Sequence, residues 1–100
     1  MSAGANRLQI AATLIARDTL RYSPAGVPIV NCRLAHRSNQ LEAGAPRVVE
    51  AEIEAVAMGP VAQHLAAVAV GSELDVVGFL ARKYRTGPAL ELHITNFVKD

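Results

Sequence analysis

Apolar and polar residues trade places at every second position in five separate stretches of this 100-residue chain, and no other feature restricts its fold as much. Successive side chains of a strand point to opposite faces, so such alternation marks a half-buried strand. From Asn6 to Arg17, residues Leu8, Ile10, Ala12 and Leu14 share one face. From about Ile29 to Arg37, Val30, Cys32 and Leu34 point one way, and Asn31, Arg33 and Arg37 the other. From about Arg47 to Ala57, Val49, Ala51, Ile53 and Ala55 form an apolar face, with Glu50, Glu52 and Glu54 opposite. Ser72 to Arg82 sets Leu74, Val76, Gly78 and Leu80 on one side, and Gly78 predicts a bend or bulge there. Ala89 to Val98 turns Leu90, Leu92 and Ile94 inward.

Proline and glycine punctuate the gaps. Ser23-Pro24-Ala25-Gly26 places a loop over Asp18–Pro28, Gly44 and Pro46 place a second over Ser38–Pro46, and Gly87-Pro88 a third over Lys83–Pro88. The one break in the two-residue rhythm follows Gly59. Pro60 suits a first helical turn, where its missing N–H is no loss; Val61, Leu65 and Val68 recur at helical spacing; and Gly71 stands where a C-terminal cap belongs. These residues predict a short helix over about 60–69. Three strands, a helix and two strands is the order of an all-β, five-stranded OB-fold barrel whose short helix, between strands 3 and 4, plugs the barrel. An SH3-like barrel lacks a full helix at that point, and a helix-bearing α+β sandwich fits less well. One domain is expected over 1–100, with 1–5 as a flexible N-terminus.

An apolar content of 51% is enough for a packed core, and that core is aliphatic, since only Phe79, Phe97, Tyr22 and Tyr84 are aromatic. No apolar run is long enough to span a membrane, and Met1 to Ala5 lacks the cationic and apolar parts of a signal peptide, so a cytoplasmic location is expected. Cys32 is the only cysteine and reads as a small core residue. His36, His64 and His93 lie far apart without metal-ligand spacing, and no phosphate-binding glycine motif occurs. The chain therefore reads as a non-enzyme with no cofactor.

The formal net charge is only +1, so bulk charge does not argue for nucleic acid; placement does. An OB barrel binds single strands on the outer face of strands 2 and 3, between the loops after strands 1 and 4. Those places hold Arg17 and Arg21, Arg33 and Arg37, Arg47, and Arg82, Lys83 and Arg85. Tyr22 and Tyr84 sit within the two basic loops, which places rings for stacking on bases beside cations for phosphate. The alternative for each tyrosine is a ring packed across the barrel mouth. Glu50, Glu52 and Glu54 oppose binding, because they repel phosphate from the same face. They are expected to pair with Arg33 and Arg37 and blunt them, or to face a second subunit.

The stretch Asn6-Arg7-Leu8 with Leu20-Arg21-Tyr22-Ser23-Pro24-Ala25-Gly26-Val27-Pro28 resembles the first strand and loop of bacterial single-stranded DNA-binding proteins. Cys32-Arg33-Leu34-Ala35-His36-Arg37-Ser38, then Glu42-Ala43-Gly44, Val70-Gly71-Ser72 and Val77-Gly78-Phe79-Leu80, are similar to one offshoot, the primosomal replication protein N (PriB) family. The resemblance runs from Asn6 to about Val98. It implies a homodimer of OB-folds that binds single-stranded DNA in replication restart, with the PriA helicase and DnaT-like loading factors as partners. It implies DNA contacts at Arg21, Arg37, Lys83 and Arg85, with Arg47 added. Two departures stand out: Ala45 and Glu50 occupy places where that family has aromatics. The ending at Asp100, without the acidic tail of general coating proteins, favours the accessory role. Two other readings remain open, a protein-interaction adaptor with a weakened DNA face and a module for RNA or oligosaccharide.

Overall fold

The computed structural model describes residues 3–100; Met1 and Ser2 of the expected flexible terminus lie outside the described residues. The elements run β1 (Leu8–Arg17), β2 (Arg21–Tyr22), β3 (Pro28–Glu42), β4 (Ala45–Met58), α1 (Pro60–Ala66), β5 (Glu73–Arg82) and β6 (Leu90–Lys99). Five of these strands close into a barrel, in which β1 pairs antiparallel with β5 along Leu8–Thr13 and then with β3 along Thr13–Arg17. It changes partner at Thr13, which faces both Glu73 and Ala35, and a bulge between Leu14 and Ala16 follows within the β1–β3 ladder, adding to the bend that closes the sheet. On the far side, β4 and β6 run parallel over Ala55–Ala57, and α1 lies in the crossover between β4 and β5. The five-stranded OB barrel expected from the sequence is therefore present, with the helix where it was placed.

The alternating faces bury one side of each strand through the barrel, but Leu80 and Leu90, expected on inward faces, are exposed where β5 and β6 run out toward their connecting loop. Leu14, Val30, Leu34, Leu74, Val76 and Leu92 meet in the interior, and Ala62 and Leu65 of α1 close one end over them. Each such aliphatic side chain adds about 1.5–3 kcal/mol by leaving water. Cys32 belongs to this core. Burial, with the Asp18 and Glu91 carboxylates adding to it, pushes its thiol up to about 11, which leaves it a neutral packing group.

Four local expectations are corrected. The Ser38–Pro46 stretch is not a loop: β3 and β4 stay paired to Glu42↔Ala45, and the turn is only Ala43-Gly44. Both turn residues have positive φ (52° and 76°), as in a two-residue primed hairpin turn, so Gly44 makes a tight reversal rather than a loop. Pro46 is tolerated because it sits at the end of an exposed arm. The Asp18–Pro28 loop contains the two-residue strand β2, whose Arg21 and Tyr22 pair with Ile29 and Pro28. The helix ends at Ala66, and Ala67 rather than Gly71 is its cap. Gly71 (φ 98°) instead turns the chain into β5 while its N–H donates to the Leu14 carbonyl at 2.7 Å.

Gly78 is the bulge that the sequence predicts. The β5–β6 register jumps between Val77↔Asn96 and Gly78↔Ile94, leaving Thr95 unopposed. A Cβ at Gly78 would stand 2.0 Å from the His93 carbonyl oxygen, and backbone cannot swing aside as a side chain can. We expect Gly78→Ala to destabilise the fold by on the order of 1–3 kcal/mol, read from the urea midpoint; an unchanged midpoint would show the bulge to be slack. Ala43 in the left-handed region carries strain that Asn relieves, so Ala43→Asn should raise stability by up to about 1 kcal/mol in the same assay, and a fall in stability would contradict the assigned turn.

Candidate nucleic-acid interface

The outer face of β3 and β4 is fixed by strict alternation, because the fourteen-pair ladder from Ile29↔Met58 to Glu42↔Ala45 has no bulge. Register puts Arg33 directly across from Glu54 and Arg37 directly across from Glu50. Both pairs form: Arg33 Nη2 lies 3.3 Å from Glu54 Oε1, and the Arg37 guanidinium bonds the Glu50 carboxylate. Ala35 stands opposite Glu52, which has no salt-bridge partner among the described residues.

A third element joins this face. The loop after β5 brings Lys83 to the second oxygen of Glu54, at 2.6 Å. Glu54 thus accepts from two cations at once. The Lys83 hydrogen bond holds its carboxyl below the ordinary carboxylate range, with Arg33 helping, against a desolvation that works the other way. The same bond holds the Lys83 ammonium above its usual range. Lys83 Nζ also sits 5.5 Å from the centre of the Tyr84 ring. From the other side, Arg21 Nη2 donates to the Asn31 side-chain oxygen at 2.8 Å, which draws the β2 edge over β3. Asp18, Asn31, Arg33, Glu54, Lys83 and Glu91 line one hollow between these elements.

Arg21, Arg33 and Lys83, which come from three separate elements, therefore converge. Arg37 lies on the same face, four residues along β3, or roughly 13 Å. Arg82, Tyr84 and Arg85 are exposed on or beside the loop after β5, and neither arginine has an ion pair among the described residues. Tyr22 is 60% exposed and Tyr84 62%, so neither ring packs across the barrel mouth. Two expected residues stand apart. Arg17 donates to the Val68 carbonyl just beyond the helix and so ties β1 to the barrel end. Arg47 is an odd-numbered residue on β4 where Glu50 is even, so it occupies the opposite face and pairs there with Glu42 at 2.9 Å. The expected pairing of the strand-three carboxylates with Arg33 and Arg37 is present. The sharing of Glu54 with Lys83 was not visible in the sequence, because no spacing rule links residues 54 and 83.

His36 has a role that the sequence left unassigned. Its Nδ1 lies 2.6 Å from the Ala11 carbonyl oxygen and its Nε2 2.7 Å from Ser38 Oγ. A carbonyl oxygen only accepts, so Nδ1 carries a proton there. His93 stacks on Phe79, with ring centres 4.9 Å apart.

Known proteins resemble this chain in sequence and fold. Residues 6–96 match the model of a family described as another single-strand binding protein family. The replication restart protein PriB of Nitrosomonas europaea is 38% identical over 89 residues, which span 89% of this chain and 82% of that one. PriB of Bordetella pertussis is 39% identical over the same share of this chain and 83% of its own. A solved structure of PriB from Ralstonia solanacearum superposes with a TM-score of 0.88 at 48% identity, covering 96% of this chain and 98% of that one. The single-stranded DNA-binding protein of Thermus aquaticus has the same fold, with a TM-score of 0.77 at 23% identity, over 98% of this chain and 51% of that one. The chain thus belongs to the PriB family of replication restart proteins, within the single-strand binding proteins.

Proposed function

We propose that this protein binds single-stranded DNA as a non-catalytic accessory of the replication restart primosome in the bacterial cytoplasm, as a homodimer, with a PriA-type helicase and a DnaT-like loading factor as protein partners. Family membership supports the restart role and the partners. The observation that carries the binding is the convergence of Arg21, Arg33 and Lys83 from three elements onto one outer face, with Arg37 further along it and exposed Tyr22 and Tyr84 at its rims. Guanidinium and ammonium groups meet phosphates, and the rings offer stacking to bases at about 1–3 kcal/mol each. Arg82 and Arg85 extend the cationic rim. No helix among the described residues is long and apolar enough to cross a membrane.

The homodimer is supported by an open strand edge. Residues 8–12 of β1 pair with β5 on one side only, because β3 joins β1 from Thr13 onward. A free edge is a template for another strand, and a second copy of β1 is a matching one.

The adaptor reading is favoured by one observation. Arg33, Arg37 and Lys83 share the β3–β4 face with Glu50, Glu52 and Glu54, so that strip carries no net charge. Fluorescence anisotropy with labelled oligo-dT decides between them. Binding should appear at low salt and weaken as salt rises. Arg21→Ala should weaken it and lower the slope of log affinity against log salt by about one, whereas Arg47→Ala, on the other face, should do neither. Absence of binding at low salt would leave the adaptor reading. Sedimentation equilibrium should give twice the chain mass; a monomer at micromolar concentration would contradict the open-edge argument.

A further inference from the structure

We propose that Glu54 and Glu50 occupy phosphate positions in the free protein, so that its own carboxylates compete with DNA and set how tightly and how selectively the face binds. The inference rests on the reading of this face as a single-strand site. A carboxylate and a phosphate present the same chemistry to a guanidinium, two oxygens in a plane that accept a fork of N–H groups. Arg33 and Arg37 each already hold such an acceptor, and each lies directly across the ladder from it. The match is built into the register and does not depend on a wandering surface side chain. Glu54 goes further, because one oxygen takes Arg33 and the other takes Lys83 of the loop after β5. It therefore neutralises two cations and also straps that loop down to β4, across the hollow lined by Asp18, Asn31 and Glu91.

The consequence is an exchange rather than an addition. A phosphate that reaches Arg33 must displace Glu54, and the displaced carboxylate then gathers counterions of its own. That uptake offsets part of the counterion release that normally drives binding to a polyanion. A lone anion has little with which to displace both contacts of Glu54. A flexible strand bearing several phosphates can release Arg33, Lys83 and Arg37 together. The carboxylates thus hold affinity down while favouring extended single strands over small anions.

Glu52 supplies the control, since it carries the same charge on the same strand face but stands opposite Ala35 with no salt-bridge partner among the described residues. The experiment is anisotropy with oligo-dT across a salt series for the native chain, Glu50→Gln, Glu52→Gln and Glu54→Gln, with thermal unfolding to verify each fold. Removing a charge from the face should tighten all three. Glu50→Gln and Glu54→Gln should tighten binding by up to about five-fold beyond Glu52→Gln and steepen the salt dependence, with Glu54→Gln the larger. In a Lys83→Met background the gain from Glu54→Gln should shrink, because half of the masked charge is gone. Equal gains at all three glutamates would reduce the effect to bulk charge and overturn the proposal while leaving the DNA reading intact. Binding by Glu54→Gln where the native chain shows none would uphold the masking and remove the DNA role from the native chain. Failure of every variant to bind at low salt would remove both.

Discussion

The barrel depends on one strand that serves two neighbours. β1 gives its first half to β5 and its second half to β3, with the handover at Thr13 and a bulge at Leu14/Ala16 just beyond it. Without the β1–β3 pairing the sheet would stay open, and the aliphatic interior around Leu14, Leu34 and Leu92 would face water. Closure also sets the candidate interface. It brings β2, the middle of β3 and the loop after β5 to one side, although they are widely separated in sequence. Arg21, Arg33 and Lys83 meet because the hoop is shut.

The chemistry of that surface follows from register. An uninterrupted antiparallel ladder puts residue i of β3 across from a fixed partner on β4, and here cation meets carboxylate at two of three successive outward positions. The face is consequently electrically quiet while remaining rich in donors suited to phosphate oxygens, and its rims at Arg21, Arg82 and Arg85 hold cations with no ion pair among the described residues. A surface of this kind distinguishes ligands by how many contacts they exchange at once more than by attraction at long range.

Much of this could be read from the residues. Two-residue alternation identified all five barrel strands and the helical interruption after Gly59, and Gly78 marked its bulge, because burial of one face leaves a periodic trace. The β3–β4 arm was hidden because Gly44 and Pro46 signal a break, yet an exposed two-residue turn and a strand end accept both residues. The two-residue β2 was too short to leave a pattern. At the site, the Arg–Glu pairs were legible from strand parity. Arg47 was grouped with the outer face by its place at the entry to the strand, although it shares the odd parity of Val49 and Ala51 rather than that of Glu50. The Glu54–Lys83 contact was out of reach, since it depends on where a loop lands after closure.

The parallel seam between β4 and β6 spans only Ala55–Ala57, the shortest of the joints that close the hoop. Few backbone bonds hold it, so side-chain contacts beside it carry a larger share of the closure there. Glu54 is the next residue along β4, and its bridge to Lys83 crosses from one side of this joint toward the hairpin on the other. A ligand that draws Lys83 away from Glu54 removes a side-chain clasp beside the shortest backbone joint. Occupancy of the outer face and the rigidity of the barrel wall are thereby mechanically linked.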